Sequence, residues 1–284
     1  MAKFKVDIYA DTVCPWCYIN KKSIDAAIAK HQTLYPEDEF DLVWRPYLLY
    51  PNAKVSAYNK KDSFLLKFGP DAPTILERVQ RVGAPYGVNF TWEGRTGSSR
   101  DSHKLILLAA DQDASSSFST TTTTATSTSS SPSTLPLPEN DPSPPPGPCA
   151  RPLPPSVLDP RPETTPSHPH PLATPSPRNP LLSKQNSLTE ALLSGALSHN
   201  QDISSRSFLI PVALAHGLAA SEEEIVRYLD SEEANARVDA ETARARGEIG
   251  VAAVPSVVVN GRYRVGGMQE PGVFLGLFER LRGR

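Results

Sequence analysis

The sequence predicts an α/β domain whose β-containing ends are separated by a long helical block. Three observations predict it. Apolar residues alternate at the start, with Phe4, Val6, Ile8 and Ala10 on one side and Lys3, Lys5, Asp7 and Tyr9 on the other. Helical spacing dominates the middle, and alternation returns from Ser256 to Val265. A lone strand–helix–strand unit or hairpin cannot bury its apolar face, so the two ends are expected to meet in one sheet. The helices are expected to lie over one end of that sheet as a lid.

Taken in order, the first strand leads to a helix from Pro15 to His31, with Ile19, Ile24, Ala27 and Ile28 giving its apolar side. A second strand runs from Phe40 to Arg45, where Phe40, Leu42 and Trp44 alternate and Pro46 ends it. Asp62 to Phe68, Pro73 to Gly83 and Arg100 to Asp111 read as helices. Further on come Leu188 to Leu197, Ser205 to His216 and two acidic helices. Ser221 with Glu224 forms a capping box, Ser231 caps the next helix, and Gly247 stops it. Glu233–Arg237 is expected to pair along that helix. Asn260-Gly261 predicts a type I′ hairpin turn between Ser256–Val259 and Arg262–Val265. A last helix, Pro271 to Arg282, places Phe274, Leu277, Phe278 and Leu281 on one face.

The 29 prolines are concentrated in one tract. From Ser115 to Thr134, 17 of 20 residues are Ser or Thr, and from Ser131 to Pro180, 19 of 50 are proline. Such composition cannot offset the entropy of ordering its backbone, so residues 114–184 are expected to be a disordered insert with transient polyproline II. The expected division is 3–50 and 248–284 for the two halves of the α/β domain, with 51–113 and 185–247 for the two parts of the helical domain. Three roles for the tract stay open: a passive insert, a mispredicted exon, or a docking arm for a domain that reads polyproline II.

Lys and Arg total 29 against 31 Asp and Glu, a net charge of −2. That balance argues against nucleic acid as a partner. No apolar run approaches the ~18–20 residues needed to cross a bilayer, so no membrane partner is expected. The first ten residues read as a strand rather than a leader, and the C-terminal Arg282-Gly283-Arg284 is not a peroxisomal ending, so a cytoplasmic location is expected. In that reducing compartment cysteines are more often chemical than structural.

Cys14-Pro15-Trp16-Cys17 falls between the first strand and the first helix. Cys14 then sits at the helix start, where unpaired N–H groups and the positive dipole end favour a thiolate. A thiol of pKa ~8.5 is about 3% ionised at pH 7, and one lowered to ~6 about 90%. Pro15 suits the first helical position, and Cys17, one turn further in, can bond to the first sulfur and resolve a mixed disulfide. A zinc site would need two more ligands. Cys149 lies in the Ser/Thr/Pro tract, and no histidine pair outside that tract has ligand spacing, so no metal is expected. No phosphate-cradling glycine loop and no Gly-x-Ser-x-Gly elbow occur, and no cofactor is expected. Two ordinary buried cysteines remain the plain structural alternative.

The run Asp11-Thr12-Val13-Cys14-Pro15-Trp16-Cys17-Tyr18-Ile19, with Trp44-Arg45-Pro46-Tyr47-Leu48, resembles the DsbA-like thioredoxin-fold family, within it the FrnE-type cytosolic disulfide oxidoreductases. Ser102-His103-Lys104-Leu105 and Gly250 to Tyr263 are similar to its helical segment and its cis-proline loop with hairpin. The resemblance implies a thioredoxin fold, β-α-β then β-β-α, interrupted by an all-helical domain. It implies Cys14 as attacking thiol, Cys17 as resolving thiol and Pro255 as the cis proline, with Val254, Pro255, Trp16 and Pro15 at the substrate. Expected substrates are protein or small-thiol disulfides, glutathione among them. The helix at Leu192 to Leu197 departs from the family in lacking aromatic residues, and the Ser/Thr/Pro tract has no counterpart there. Two other functions stay open. One is a glutathione-dependent isomerase or transferase of the kappa or hydroxychromene-carboxylate type, whose members carry serine at the Cys14 position; there His103 is an auxiliary polar group. The other is an adaptor with a vestigial dithiol.

Overall fold

The computed structural model describes residues 1–118 and 179–283. Its elements are β1 (Lys3–Ala10), α1 (Pro15–Leu34), β2 (Glu39–Pro46), β3 (Tyr58–Asn59), α2 (Lys60–Phe68), α3 (Ala72–Gly83) and β4 (Arg95–Thr96). Then follow α4 (Arg100–Phe118), α5 (Lys184–Ser198), α6 (Arg206–Ala215), α7 (Glu222–Asp230), α8 (Glu232–Gly247), β5 (Ser256–Val259), β6 (Tyr263–Gly266) and α9 (Pro271–Arg282).

The two ends do meet in one sheet, of strand order β2-β1-β5-β6. β1 and β2 are parallel, with Phe4 beside Phe40, Val6 beside Leu42 and Ile8 beside Trp44. β5 lies antiparallel on the other side of β1, setting Val259 against Val6 and Val257 against Ile8. These residues all point to one face, as period two requires. That face joins a core with Ile24, Ala27 and Ile28 of α1 and Phe274, Leu277 and Phe278 of α9. The opposite face is covered too: Tyr9 and Val258 are buried with Tyr47, Ala245 and Val251. This is why Asp7 and Tyr9, on the polar side of the alternation, are buried.

The helical block differs from a lid over one end. Leu105 and Ile106 of α4 and Leu188, Leu192 and Leu193 of α5 belong to the same apolar core as the sheet. Both helices pack against β2, the sheet's edge strand. Gly195 of α5 explains how that helix manages without aromatic residues of its own. A Cβ there would lie 2.3 Å from Cζ of Phe208, so the ring of α6 occupies the space that a side chain would take.

Several boundaries move outward. α1 continues to Leu34, and α4 continues through Phe118 rather than stopping at Asp111. Residues 179–184 are also ordered: Pro180–Leu182 make a 3₁₀ turn and Ser183 caps α5. The expectation of disorder over 114–184 thus fails at both ends, where Asp113 and a capping serine anchor the chain. The rest of it, with Cys149, lies outside the described residues. The short pair β3–β4 carries too few residues for periodicity to reveal. The hairpin turn has the expected left-handed Asn260 (φ 52°) and Gly261 (φ 66°). Val259 pairs with Tyr263, however, so Arg262 is an extra loop residue rather than the first of the returning strand. Ser221 caps α7 through the Glu224 N–H at 3.4 Å, but the Glu224 carboxylate reaches the Ala220 N–H, one residue earlier than a capping box requires. Arg237 leaves Glu233 and pairs with Asp111 across on α4.

Candidate active site

β1 ends at Ala10, and Asp11 to Val13 carry the chain into α1. The Cys14 N–H donates to the Asp11 carbonyl at 3.0 Å, which sets a tight turn. Cys14 is the N-cap residue, in extended backbone (φ −95°, ψ 112°), and Pro15 takes the first helical position. The Cys14 carbonyl accepts the Cys17 N–H at 3.0 Å, so both sulfurs lie on the first helical turn. Both cysteines are free thiols; Cys14 is 6% exposed and Cys17 fully buried.

The two sulfurs are not equivalent. The Cys17 thiol donates to the Cys14 sulfur and holds the Cys14 pKa below the ordinary thiol value, against burial and the nearby Asp11 carboxylate. The Cys17 backbone N–H and the Lys67 ammonium act in the same direction. The helix N-terminus thus contributes through one amide, with the second thiol as the larger cause. Burial drives the Cys17 pKa well up, and its hydrogen bond to Cys14 adds to this. The arrangement offers one nucleophile near the surface and one protonated thiol in reserve.

The Val254–Pro255 peptide bond is cis, and the Val254 carbonyl lies 3.9 Å from the Cys14 sulfur. The second β-containing end of the chain is thereby brought to the dithiol, 240 residues from it in sequence. Among the residues expected at the substrate, Trp16 and Val254 are half-buried and present surface, whereas Pro15 and Pro255 are buried. The guanidinium of Arg78 stacks on the Trp16 ring at 5.5 Å, and Lys67 lies over Tyr50 at 4.7 Å. These cations, from α3 and α2, border the dithiol; nothing in their local sequence marks them.

Asp11 and His103 were the least legible members of the site. Asp11 is fully buried and His103 only 2% exposed. The Asp11 carboxylate lies 3.3 Å from the His103 Nε2 and accepts the Leu49 N–H at 2.7 Å. Burial works against its charge, but the His103 bond and the Leu49 N–H hold its pKa below the usual carboxylate value. A lone helical histidine is ordinarily a surface or capping residue; here the packing of α4 against the sheet at β2 buries it. Thr12 and Ser102 hydroxyls, 2.7 Å apart, tie the same two segments together. No cluster of His, Cys, Asp or Glu that could hold a metal occurs among the described residues.

The profile of the DSBA-like thioredoxin domain matches residues 5–132 and 180–278. The chain belongs to that family. Among solved structures it is similar to "probable DsbA oxidoreductase SCO1869 from Streptomyces coelicolor", at 17% identity and a TM-score of 0.64, over 99% of this chain and 91% of that one. It is also similar to a 2-hydroxychromene-2-carboxylate isomerase, at 13% identity and a TM-score of 0.50, over 98% and 96% of the two chains. The cytosolic disulfide reductase DsbM from Pseudomonas aeruginosa, solved with GSH, matches at 12% identity and a TM-score of 0.50, over 98% and 96%. At these identities the likeness is one of fold. Among curated proteins none matches the sequence. No helix of the described residues is long and apolar enough to cross a membrane.

Proposed function

We propose that this DsbA-like chain is a thiol–disulfide oxidoreductase that works through Cys14 and Cys17. The Cys14 thiolate attacks one sulfur of a substrate disulfide, forming a mixed disulfide and releasing one substrate thiolate. Cys17 then loses its proton and attacks the Cys14 sulfur; the second substrate thiolate leaves and a Cys14–Cys17 disulfide remains. Reversing these steps oxidises a dithiol. The observation that carries the reading is the opposite pull on the two thiols, one held below and one well above the ordinary value.

Trp16 and Val254 are proposed to contact the substrate, with Pro15 and Pro255 fixing the backbone behind them. Exposed Leu65 and Leu66 on α2, the helix that carries Lys67, and exposed Tyr50, over whose ring Lys67 lies, support polypeptide disulfides as substrates. Small thiols such as glutathione are the second substrate class, the DsbM neighbour having been solved with GSH. The cytosol is the proposed setting, and there reduction or isomerisation is the favoured direction.

The test is trapping. Cys17→Ser should accumulate a mixed disulfide at Cys14, read by mass spectrometry, and Cys14→Ser should abolish reduction of a protein disulfide. Turnover that persists in Cys14→Ser sinks the proposal. Glutathione conjugation surviving that substitution would point instead to the isomerase or transferase chemistry.

A further inference from the structure

The charge of the chain is unevenly distributed. Residues 51–100 carry eight Lys and Arg against four Asp and Glu, a net +4, although the whole chain carries −2. Three of those cations are committed within the fold. Lys60 is buried and donates to the Ala196 carbonyl at 2.6 Å, Arg95 donates to the Ser56 carbonyl, and Arg100 pairs with Asp239 at 2.8 Å. Arg78 and Lys67 are exposed and stand instead at the dithiol. The Arg78 guanidinium lies over the ring of Trp16, the residue before Cys17, and Lys67 lies over Tyr50 and Phe68 at 4.7 and 5.2 Å.

Building on the proposed function, we infer that Arg78 and Lys67 select polypeptide disulfides with an acidic side chain close to the reacting cysteine, Arg78 holding the carboxylate and Lys67 attracting it. Among the described residues Arg78 makes no hydrogen bond and no ion pair, not even with its neighbour Glu77; the Trp16 ring is its partner. A ring face holds a guanidinium in place without using its N–H groups, so the planar fork stays open to a carboxylate. The Asp11 carboxylate beside the dithiol is buried and engaged by His103 and the Leu49 N–H rather than by Arg78. Thiolate stabilisation accounts for Lys67, whose charge lowers the Cys14 pKa, but Arg78 is not among the chief causes of that shift. Its place on Trp16 is left to serve what docks there.

Trp16 shares the first helical turn with Cys14. A carboxylate held over it therefore belongs to a residue within a few positions of the substrate cysteine, since an extended chain advances about 3.3–3.6 Å per residue. Exposed Leu65 and Leu66 on α2 and exposed Tyr50 add apolar contact beside Lys67, which suits a chain of several residues rather than a small thiol. Both cations stand in water at the rim of the site. They act on the rate of encounter and on its salt dependence, and leave the exchange at sulfur to Cys14 and Cys17. They are specificity-determining residues.

The test uses three end-capped peptides that differ only in the residue beside the cysteine, Glu, Gln or Lys. Each is activated as a 2-pyridyl disulfide and releases one absorbing thiopyridone when Cys14 attacks. With the full chain at low salt the Glu peptide should react about tenfold faster than the Lys peptide, with the Gln peptide between them, and high salt should shrink the ratio to about twofold. Lys67→Gln should lower the ratio, and Arg78→Glu should invert the order. Alkylation of Cys14 by uncharged iodoacetamide should stay within about twofold of the parental rate in Arg78→Glu, which reports an intact fold and thiolate. Equal rates for the three peptides overturn the inference, as does a preference for Glu that survives Arg78→Glu. A glutathionyl 2-pyridyl disulfide that outruns the Glu peptide overturns the choice of polypeptides. If the parent alkylates at Cys14 yet releases thiopyridone from none of the peptides, the disulfide-exchange reading fails, and this inference with it.

Discussion

The side-chain amide of Gln185 pairs with both backbone polar groups of Trp44: its oxygen accepts the Trp44 N–H at 3.0 Å and its nitrogen donates to the Trp44 carbonyl at 2.9 Å. β2 is an edge strand, and an edge leaves such groups unpaired. One glutamine from α5 does here what a fifth strand would do. Asn186, beside it, accepts the Trp44 indole N–H at 3.0 Å. The helical block is thereby joined to the sheet immediately beyond the dithiol loop.

Gln185→Leu should therefore destabilise the protein by about 2–4 kcal/mol. It leaves the Trp44 N–H and C=O buried without partners, each costing roughly 1–3 kcal/mol, and removes a bond to the Ile106 carbonyl. A fall in the urea midpoint at unchanged slope checks this; no change would mean that the Trp44 backbone finds other partners.

Cys17→Ala should raise the pH midpoint of Cys14 alkylation, because it removes the largest cause of the lowered thiol pKa. Cys17→Ser, which keeps a donor, should raise it less. Thiolate absorbance against pH gives both midpoints. In the parent, Cys14 should alkylate first and Cys17 resist until the chain unfolds, since Cys17 is fully buried.

Acid stability should depend on Asp11. Its folded pKa is lowered from 3.8, so near and below that value the folded chain binds fewer protons than the unfolded one. The contribution is complete above pH ~4 and is lost as pH falls through the folded pKa. Thermal unfolding from pH 2 to pH 6 should show a steep acid limb in the parent and a shallower one in Asp11→Asn.

Gly195→Ala should cost about 1–3 kcal/mol, since its methyl collides with the Phe208 ring. Phe208→Leu in the same chain should recover part of that loss, and a double-mutant cycle in urea measures the coupling. Additive effects would show that the ring moves aside freely.

Residues 119–178 should be dispensable for the dithiol. The Asp113 carboxylate accepts the Lys184 and Gln185 N–H groups at 3.0 and 2.8 Å, so α4 and α5 are fastened at the base of the tract. Replacing the tract by a short Gly/Ser linker should leave DTNB kinetics within twofold of the parent, closure entropy changing only by about 0.6 kcal/mol per halving of length. Loss of the reaction would instead support an active role for the tract.

Strand and helix order, the turn at Asn260-Gly261 and the placing of Cys14-Pro15-Trp16-Cys17 at a helix start were all legible in the chain, because each is written within a few neighbouring residues. Alternation marks a strand, 3.6-residue spacing a helix face, and proline a helix start. The fate of His103, 92 residues from Asp11, and of Gln185, 141 from Trp44, was not written locally. A lone polar residue reads as surface until packing decides whether water or a protein group will satisfy it. Folding α4 and α5 onto β2 removed the water, and only then did those side chains acquire the partners that shape the site.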